Sequence, residues 1–349
     1  MTEEIYMQRC ISLARNGRCN VPPNPMVGAV IVYEGKIIGE GYHVKRGFPH
    51  AEVNAVRSVQ DESLLKHSTL YVNLEPCSHY GKTPPCTDLI IEKKIPRIVI
   101  GCQDPFPEVA GNGIRKLLDA GCEVKTGILE KECRQLNKNF ITYHTLHRPY
   151  ITLKWAESSD GFIDLLRHNT PLTLLSTELT LMQVHKRRAE TDAVMVGTQT
   201  ARLDNPSLSV RHWYGKNPLR VVIDKTLSLN PSLHLFDGCT PTLVFISSPP
   251  PLSPPNSAVE YITINFQLET EEPLLQITKA LYKRNIQSLL VEGGSRLLQS
   301  FIDAGLWDEV FVEKSSLKLG SGVKSPEINN KHKFAVKSHF NVPYWHYIN

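Results

Sequence analysis

The triplet His50-Ala51-Glu52 and the stretch Glu75-Pro76-Cys77-Ser78-His79-Tyr80-Gly81-Lys82-Thr83-Pro84-Pro85-Cys86 hold the residues of this chain best suited to chemistry. One neutral imidazole and two thiolates give three donors of the kind zinc takes, and they leave the fourth tetrahedral position open. An open position admits water, and zinc lowers the pKa of such water toward about 7. Its natural target is an electrophilic ring carbon bearing an amine. A carboxylate is then needed to carry the proton of water to the ring nitrogen and to the departing ammonia, and Glu52 stands where it could do so. A structural zinc site has four protein ligands instead. His79 would be the natural fourth, but an acid two residues after the histidine has no purpose in such a site.

Residues two apart on a regular helix point to nearly opposite sides. His50 and Glu52 can share a site only if His50, preceded by Pro49, sits at the junction of a loop and a helix that Glu52 enters. Cys86 follows Thr83-Pro84-Pro85, prolines that suit the first turn of a helix, and the positive end of that helix would stabilise its thiolate. Strands must carry these loops. VGAVIVY and KIIGEGYH read as paired strands over 26–43, and TLYVNL and IPRIVIG as two more. Helical patterns begin at HAEVNAVRSV, TPPCTDLIIEKK and GNGIRKLLDAG, the last followed by the strand CEVKTG. Alternation of this kind predicts an α/β layered domain. GILEKECRQLNKNFITYHTLHR reads as a polar helical bridge, and a new strand opens at RPYITLKWA, so the boundary is placed at residue 146, with domains over 1–146 and 147–349.

The second half alternates again, through ELTLMQVHKRRAE, DAVMVG, LRVVID, TLVFI, QSLLVEGG, SRLLQSFIDAG and DEVFVEK, while PPPLSPPNS reads as a surface loop. No G-x-G-x-x-G follows any of its strands, which leaves a Rossmann site without support. The strand ending in Glu292-Gly293-Gly294 before a helix is a place where unpaired amides could hold a phosphate. The tail SHFNVPYWHYIN shows no final strand.

With 349 residues, two domains are expected. Hydrophobic residues at 41% and charged residues at 21% describe a soluble globular protein. No apolar stretch approaches the length of a bilayer span, and MTEEIYMQRC has neither the basic flank nor the apolar segment of a leader. A cytoplasmic location with reduced thiols is expected for the eight cysteines. The net charge of +4 is mild and dispersed, which argues against a nucleic-acid partner and is compatible with a small anionic substrate.

His-Ala-Glu followed by Pro-Cys and a second Cys resembles the cytidine-deaminase superfamily, whose usual second element is P-C-x-x-C. Here eight residues separate the two cysteines. That longer form, with NPMVGAVIV, GYHVKRGFPHAE and DPFPEVAGNGI, looks like the deaminase half of the bifunctional riboflavin-biosynthesis deaminase–reductases. RPYITLKWAESSDG, VHKRRAETDAVMVGTQTARLDNPSLSVR, LRVVID and VEGGSRLLQSFIDAGLWDEV resemble the reductase half, in the same order. The resemblance implies a cytidine-deaminase-like three-layer domain followed by a dihydrofolate-reductase-like α/β domain. It implies a phosphorylated ribosylamino-diaminopyrimidinone as substrate, zinc and NADPH as cofactors, and reduction of the ribose to ribitol after deamination. A homo-oligomer is expected.

On this resemblance Asn24 and His43 would line the base or ribose, His79, Lys82 and Thr83 would meet the substrate and its phosphate, and Asp104 would match a DPNP-like turn in which Phe106 replaces the usual Asn. In the second half Arg188, Leu208, Arg211 and Glu292 would contact substrate. Ala156, Thr200, Asp204 and the segment Gly294, Ser295, Arg296, Leu297, Leu298, Gln299 and Ser300 would face the cofactor. Lys154 is either catalytic or an electrostatic helper. The family's G-E-S-x-W-I-T-S stretch, with a substrate-binding Ser and a cofactor-stacking Trp, reads here as HNTPLTLLST, with Leu172 and Leu174 in those places. An alternative is therefore a deaminase joined to a non-catalytic reductase-like module.

Overall fold

A computed structural model describes residues 2–80, 84–106, 110–167, 171–250, 253–267, 272–329, 332 and 334–349. The chain divides into two compact units, Met1–His147 and Arg148–Asn349. Among the described residues no helix is long and apolar enough to cross a membrane.

In chain order the first unit comprises α1 (Thr2–Ala14), β1 (Gly28–Tyr33), β2 (Lys36–Tyr42), α2 (Ala51–Arg57), β3 (Thr69–Leu74), α3 (Cys86–Glu92), β4 (Arg97–Cys102), α4 (Asn112–Asp119), β5 (Glu123–Thr126), α5 (Glu130–Leu136) and α6 (Lys138–Leu146). Its sheet has the order β2-β1-β3-β4-β5. β1 is antiparallel to both β2 and β3, whereas β3, β4 and β5 run parallel. The two-residue period of the strands sorts their side chains into two cores. Ala29, Ile31, Leu70, Val72, Ile98 and Ile100 pack with Ala51, Ala55 and Val56 of α2, Ile90 of α3 and Leu117 of α4. Val30, Val32, Tyr71 and Val99 pack with Met7, Cys10 and Ile11 of α1 and Cys133 of α5. Helices on both faces of one sheet make a three-layer α/β/α unit.

Two expectations change here. The run read as a polar helical bridge is helical, but it is divided into α5 and α6 and is not polar throughout, since Cys133, Phe140 and Tyr143 are buried. Pro84 and Pro85 lie outside α3: the helix opens at Cys86, and Pro85 is its N-cap with extended ψ.

The second unit comprises β6 (Tyr150–Glu157), β7 (Phe162–Asp164), α7 (Glu178–Ala189), β8 (Ala193–Val196), α8 (Thr198–Asp204), β9 (Leu219–Ile223), β10 (Thr242–Ile246), β11 (Val259–Thr263), α9 (Pro273–Tyr282), β12 (Ser288–Val291), α10 (Ser295–Asp303), β13 (Glu309–Lys314), β14 (Val323–Lys324), β15 (Phe334–His339) and β16 (Val342–Ile348). The large sheet has the order β11-β10-β9-β8-β12-β6-β13-β16-β15. It is parallel from β11 to β13, and β16 is antiparallel to β13. One face buries Leu153, Trp155, Met195 and Val291 under α9 and α10. The other buries Val194, Val196 and Val222 with Ala201 of α8 and Leu208. Arg148 donates two hydrogen bonds to Asp308, of 2.6 and 2.9 Å, and Asp308 also accepts the amide of Ile151, which fixes the start of β6.

The tail, read as lacking a final strand, forms the hairpin β15–β16. Phe340 and Asn341 both have positive φ, 52° and 65°, the geometry of the tight two-residue turn whose twist matches paired strands. Pro343, the exposed residues of β15 and the run of aromatics in β16 hide its alternation.

The position of α2 depends on two glycines of β2. A Cβ on Gly41 would fall 2.5 Å from the Ala55 amide nitrogen, and one on Gly39 would fall 2.6 Å from the Ala55 carbonyl oxygen. Because both obstacles are backbone, Gly41→Ala is expected to push α2 off the sheet, at a cost of roughly 1–3 kcal/mol, and to lower zinc content. Urea denaturation and zinc per chain check this; an unchanged midpoint would show that the close approach is not required.

Candidate active sites

His50 is the residue immediately before α2, with φ −71° and ψ 168°, and Glu52 lies in the first turn of that helix. The extended backbone at His50 turns its ring to the side that Glu52 faces. Asn54 holds this corner by donating to the carbonyls of Tyr42 (2.8 Å) and Pro49 (3.3 Å). From the facing side come Cys77, after β3, and Cys86, the first residue of α3. Cys77 Sγ is 3.5 Å and Cys86 Sγ 3.3 Å from His50 Nδ1, and the Cys86 amide donates to Cys77 Sγ at 3.3 Å.

Donors bound tetrahedrally at about 2.0–2.3 Å from a zinc ion lie roughly 3.3–3.8 Å from one another. The His50–thiol distances fall in that range, and the three donor atoms all lie within 4.8 Å of one another. The chemistry agrees for one of the two thiols: Cys77 is drawn down to about 4 by a hydrogen bond from Cys86 and by His50, against the effect of burial, whereas Cys86, beside that negative charge, is pushed up, so that metal binding, which takes thiolates, releases the remaining proton. His50, Cys77 and Cys86 thus form a zinc-binding site. His79 is exposed and is not part of the cluster, which removes the four-ligand structural reading among the described residues.

Glu52 is only 3% exposed. Burial, and next the negative charge of Cys77, push its carboxyl up, while its contact with Cys86 places it against the metal ligands. A carboxyl raised in this way holds a proton more readily near neutral pH, as a proton carrier must.

His43 and Asn24 join the same site. The His43 ring meets His50 edge-on with centroids 5.4 Å apart. Its Nδ1 lies 3.1 Å from the Pro49 carbonyl oxygen and its Nε2 3.1 Å from Asn24 Nδ2. A carbonyl only accepts and an amide NH₂ only donates, so the contacts assign His43 as a neutral ring protonated on Nδ1. Burial, which lowers its pKa, agrees. Lys82 and Thr83 lie outside the described residues.

Glu75, just before Pro76-Cys77, was not singled out by the sequence. Its buried carboxylate accepts four amides: Asp104 (3.2 Å) and Gly111 (3.0 Å) on one oxygen, Gly113 (2.9 Å) and Ile114 (3.1 Å) on the other. It therefore caps α4 from the loop that follows β3 and ties the Asp104 turn to the loop that carries Cys77. A Cβ on Gly113 would fall 2.2 Å from the Pro76 carbonyl oxygen, so the segments touch directly. Asp104 accepts the Phe106 amide at 2.8 Å, and burial raises it to about 6. Phe106, in place of a polar residue, packs its ring on His144 of α6 at 5.0 Å. The backbone leading from Asn24 is held similarly: Asn73 accepts from the Gly28 amide, and Asn137 from Met26.

In the second unit, the neighbouring strands β8, β12 and β6 end side by side. Gly197 is the N-cap of α8 and Gly294 that of α10. The segments are close: a Cβ on Gly293 would fall 3.3 Å from the Gly197 amide nitrogen, and one on Gly294 3.1 Å from Thr200 Oγ1. Ala156 lies near the end of β6, whose register neighbour across the ladder is Glu313 of β13. Ser295 and Arg296 open α10. Loops at the carboxyl ends of parallel strands are where such sheets bind ligands.

Several residues of the second unit expected to meet ligands are engaged by other residues of the protein. Arg188 and Glu292 hold each other: Nε of Arg188 is 3.0 Å from Oε1 and its second nitrogen 2.6 Å from Oε2, and the remaining one donates to the Ser209 carbonyl at 3.1 Å. Burial would raise Glu292, but Arg188 and Lys154 hold it below its usual value. Arg211 is exposed and donates to Ser209 Oγ, while its amide donates to Nδ1 of buried His185. Asp204 is paired with Arg167. Leu208 and Leu298, 1% and 0% exposed, point into the two cores, so only their backbone is open to a ligand. The Gln299 amide is engaged by Asp303 and the Glu327 backbone, Leu297 packs against the core, and Ser300 donates to Leu297. The helical period sends these side chains away from the helix start, where Gly294, Ser295 and Arg296 remain.

A zinc site with one position left for water and a buried glutamate beside it, on an α/β/α layer, defines a zinc-dependent deaminase of the cytidine-deaminase class. A second unit, built on a mostly parallel sheet with open strand ends, follows it in the same chain. Residues 1–102 match the cytidine and deoxycytidylate deaminase zinc-binding region, and residues 149–341 match the RibD C-terminal domain. The riboflavin biosynthesis protein RibD of Aquifex aeolicus is 39% identical over 323 residues, 91% of this chain and 88% of that protein. That of Escherichia coli is 34% identical over 338 residues, 93% and 90% of the two. The crystal structure of a diaminohydroxyphosphoribosylaminopyrimidine deaminase/5-amino-6-(5-phosphoribosylamino)uracil reductase from Thermotoga maritima superposes with a TM-score of 0.89 at 37% identity, covering 99% of this chain and 98% of that one. The chain belongs to the RibD family and is a bifunctional deaminase and reductase of riboflavin biosynthesis.

Glu75→Gln keeps the shape of the side chain but turns an NH₂ toward amides that need an acceptor. It is expected to cost on the order of 2–3 kcal/mol and to lower deaminase turnover while zinc stays bound. Thermal denaturation, zinc content and ammonia release measure the three effects, and loss of zinc in step with activity would instead make Glu75 a support of the metal ligands alone.

Proposed function

We propose that the first unit hydrolyses the ring amine of a diaminopyrimidinone carrying a phosphorylated ribosylamino group, and that the second reduces the ribosyl chain of the product to ribityl with NADPH. The observation that carries the first step is the cluster of His50, Cys77 and Cys86 with the buried carboxyl of Glu52 against it. Zinc, when bound, supplies Lewis acidity toward water. Glu52 would take one proton of the attacking water and give it to the ring nitrogen as the C–O bond forms, then take the second proton from the hydroxyl of the adduct and give it to the amine as the C–N bond breaks and ammonia leaves. The neutral His43 ring and Asn24 form one wall of the pocket for the base or ribose, and the Asp104 turn, held by Glu75, forms another. His79, Lys82 and Thr83 are proposed to meet the substrate and its phosphate, where a cationic side chain favours the anion.

For the second step, NADPH supplies hydride. The amides at the start of α10, from Gly294 to Arg296, with Thr200, Asp204 and Ala156 around them, are proposed to face the cofactor, since unpaired amides at a helix start favour phosphate oxygens. Arg188, Arg211, Glu292 and the Leu208 backbone are proposed to face the substrate. Leu172 and Leu174, 45% and 60% exposed, cannot supply the hydroxyl and the indole that the family places there, which favours weaker cofactor binding. A cytoplasmic homo-oligomer completes the reading.

Feeding purified protein the phosphorylated diaminopyrimidine with and without NADPH, and identifying products by mass, tests both halves. Ammonia release is expected without NADPH and to fall at least a hundredfold in Glu52→Gln with zinc retained; a variant with full turnover would end the proton-carrier role. NADPH is expected to bind saturably and to be oxidised when the deaminated product is added. Deamination with no such oxidation would make residues 148–349 a silent module.

A further inference from the structure

Lys154 projects from β6 on the face opposite Leu153 and Trp155, which belong to the core, and its side chain is largely buried, with 14% of its surface exposed. A buried ammonium needs compensation. Two carboxylates are near it. Glu292 is taken up by Arg188, whereas Glu313, on neighbouring β13, lies 3.6 Å from Lys154 Nζ. Glu313 is 7% exposed and is itself fixed from a third element: Ser176 Oγ donates to it at 2.9 Å and Thr180 Oγ1 at 2.7 Å. Thr180 is in turn locked in the capping box that starts α7 with Thr177. A cavity of about 30 Å³ beside this group is lined by Lys154, Glu313, Arg187, Phe311, His339 and Tyr344, room for about one water. Glu313 therefore provides the fixed counter-charge on this side of Lys154, and it is Glu313 that stands opposite Ala156 in the β6–β13 ladder.

We propose that Glu313, clamped by Ser176 and Thr180, is a positioning residue of the reductase half, setting the direction and charge of the Lys154 ammonium toward the substrate-facing side occupied by Glu292. The proposal rests on the reading that the reductase substrate binds beside Lys154 and Glu292. It gives a role to the end of the HNTPLTLLST stretch: Ser176 and the start of α7 couple that segment to the middle of the sheet.

The charge balance around Lys154 supports this. Burial lowers its pKa, Glu313 and Glu292 oppose that, and Arg187 and Arg188 on α7 reinforce it. From the hairpin, His339 faces Glu313 and Arg187, and Tyr344 faces Arg187. Removing the Glu313 charge leaves two arginines and one neutralised carboxylate about the ammonium, so Lys154 loses its proton at lower pH.

The test uses the full-length zinc enzyme, NADPH and the deaminated substrate made by its own first half. In Glu313→Gln, reductase kcat/KM is expected to fall at least tenfold and the alkaline limb of its pH profile to move down by a unit or more. The NADPH Kd and the rate of ammonia release stay within twofold. Thr180→Val, which keeps the carboxylate but removes one clamp, is expected to lower reductase kcat severalfold with KM unchanged, and it decides the matter if Glu313→Gln does not fold. An inactive Lys154→Met beside a Glu313→Gln enzyme with wild-type kcat/KM and an unmoved limb overturns the proposal, as does an unchanged kcat in Thr180→Val. A fully active Lys154→Met instead overturns the underlying reading of where the substrate binds.

Discussion

Three donors for one ion have to come from chain segments 27 and 36 residues apart, and the first unit depends on how it brings the beginnings of α2 and α3 together. His50 precedes one helix and Cys86 opens the other. A helix start is a suitable place for a thiolate, because its amides are unpaired and its dipole is positive there. The Cys86 amide points at Cys77 accordingly. Everything else in the unit serves to hold these two starting points in register: glycines 39 and 41 admit α2 to the sheet, the parallel strands β3 and β4 deliver Cys77 and the Asp104 turn at the same edge, and Glu75 ties that edge to α4.

The two units solve the placement of polar groups in the same manner. In each, a buried carboxylate with no role in the overall pattern of hydrophobic residues gathers donors from several elements: Glu75 takes four amides, and Glu313 takes two hydroxyls and approaches an ammonium. Such groups carry a large penalty if left unpaired and almost none when fully satisfied. They act as geometric fixtures more than as sources of stability.

The metal site was legible in the sequence because its chemistry depends on residue types at short, fixed spacings. The spacing of His50 and Glu52 even implied the helix boundary between them. The alternation of strands and helices was legible for the same reason, since both periods are local. What was not legible depends on distant partners. Glu75 and Glu313 look like ordinary charges until Gly111, Gly113 and Ile114, or Ser176 and Thr180, are folded against them. A contiguous stretch also conceals the helical period: within 294–300 the turn of α10 sends the Leu298 side chain into the core. The last hairpin was hidden because β15 is almost wholly exposed and β16 carries its aromatic residues on both faces, so no apolar–polar alternation is left to read.

Arg188 and Glu292 satisfy each other so fully that neither position is independent. Removing one partner of a buried ion pair leaves an uncompensated charge, a penalty of roughly 3–5 kcal/mol, whereas replacing both by packed apolar groups is nearly neutral for the fold. Over evolutionary time the pair should behave as a single character: retained together where reduction of the sugar is under selection, and lost together, with little effect on folding, in any lineage that keeps the scaffold and abandons the reaction.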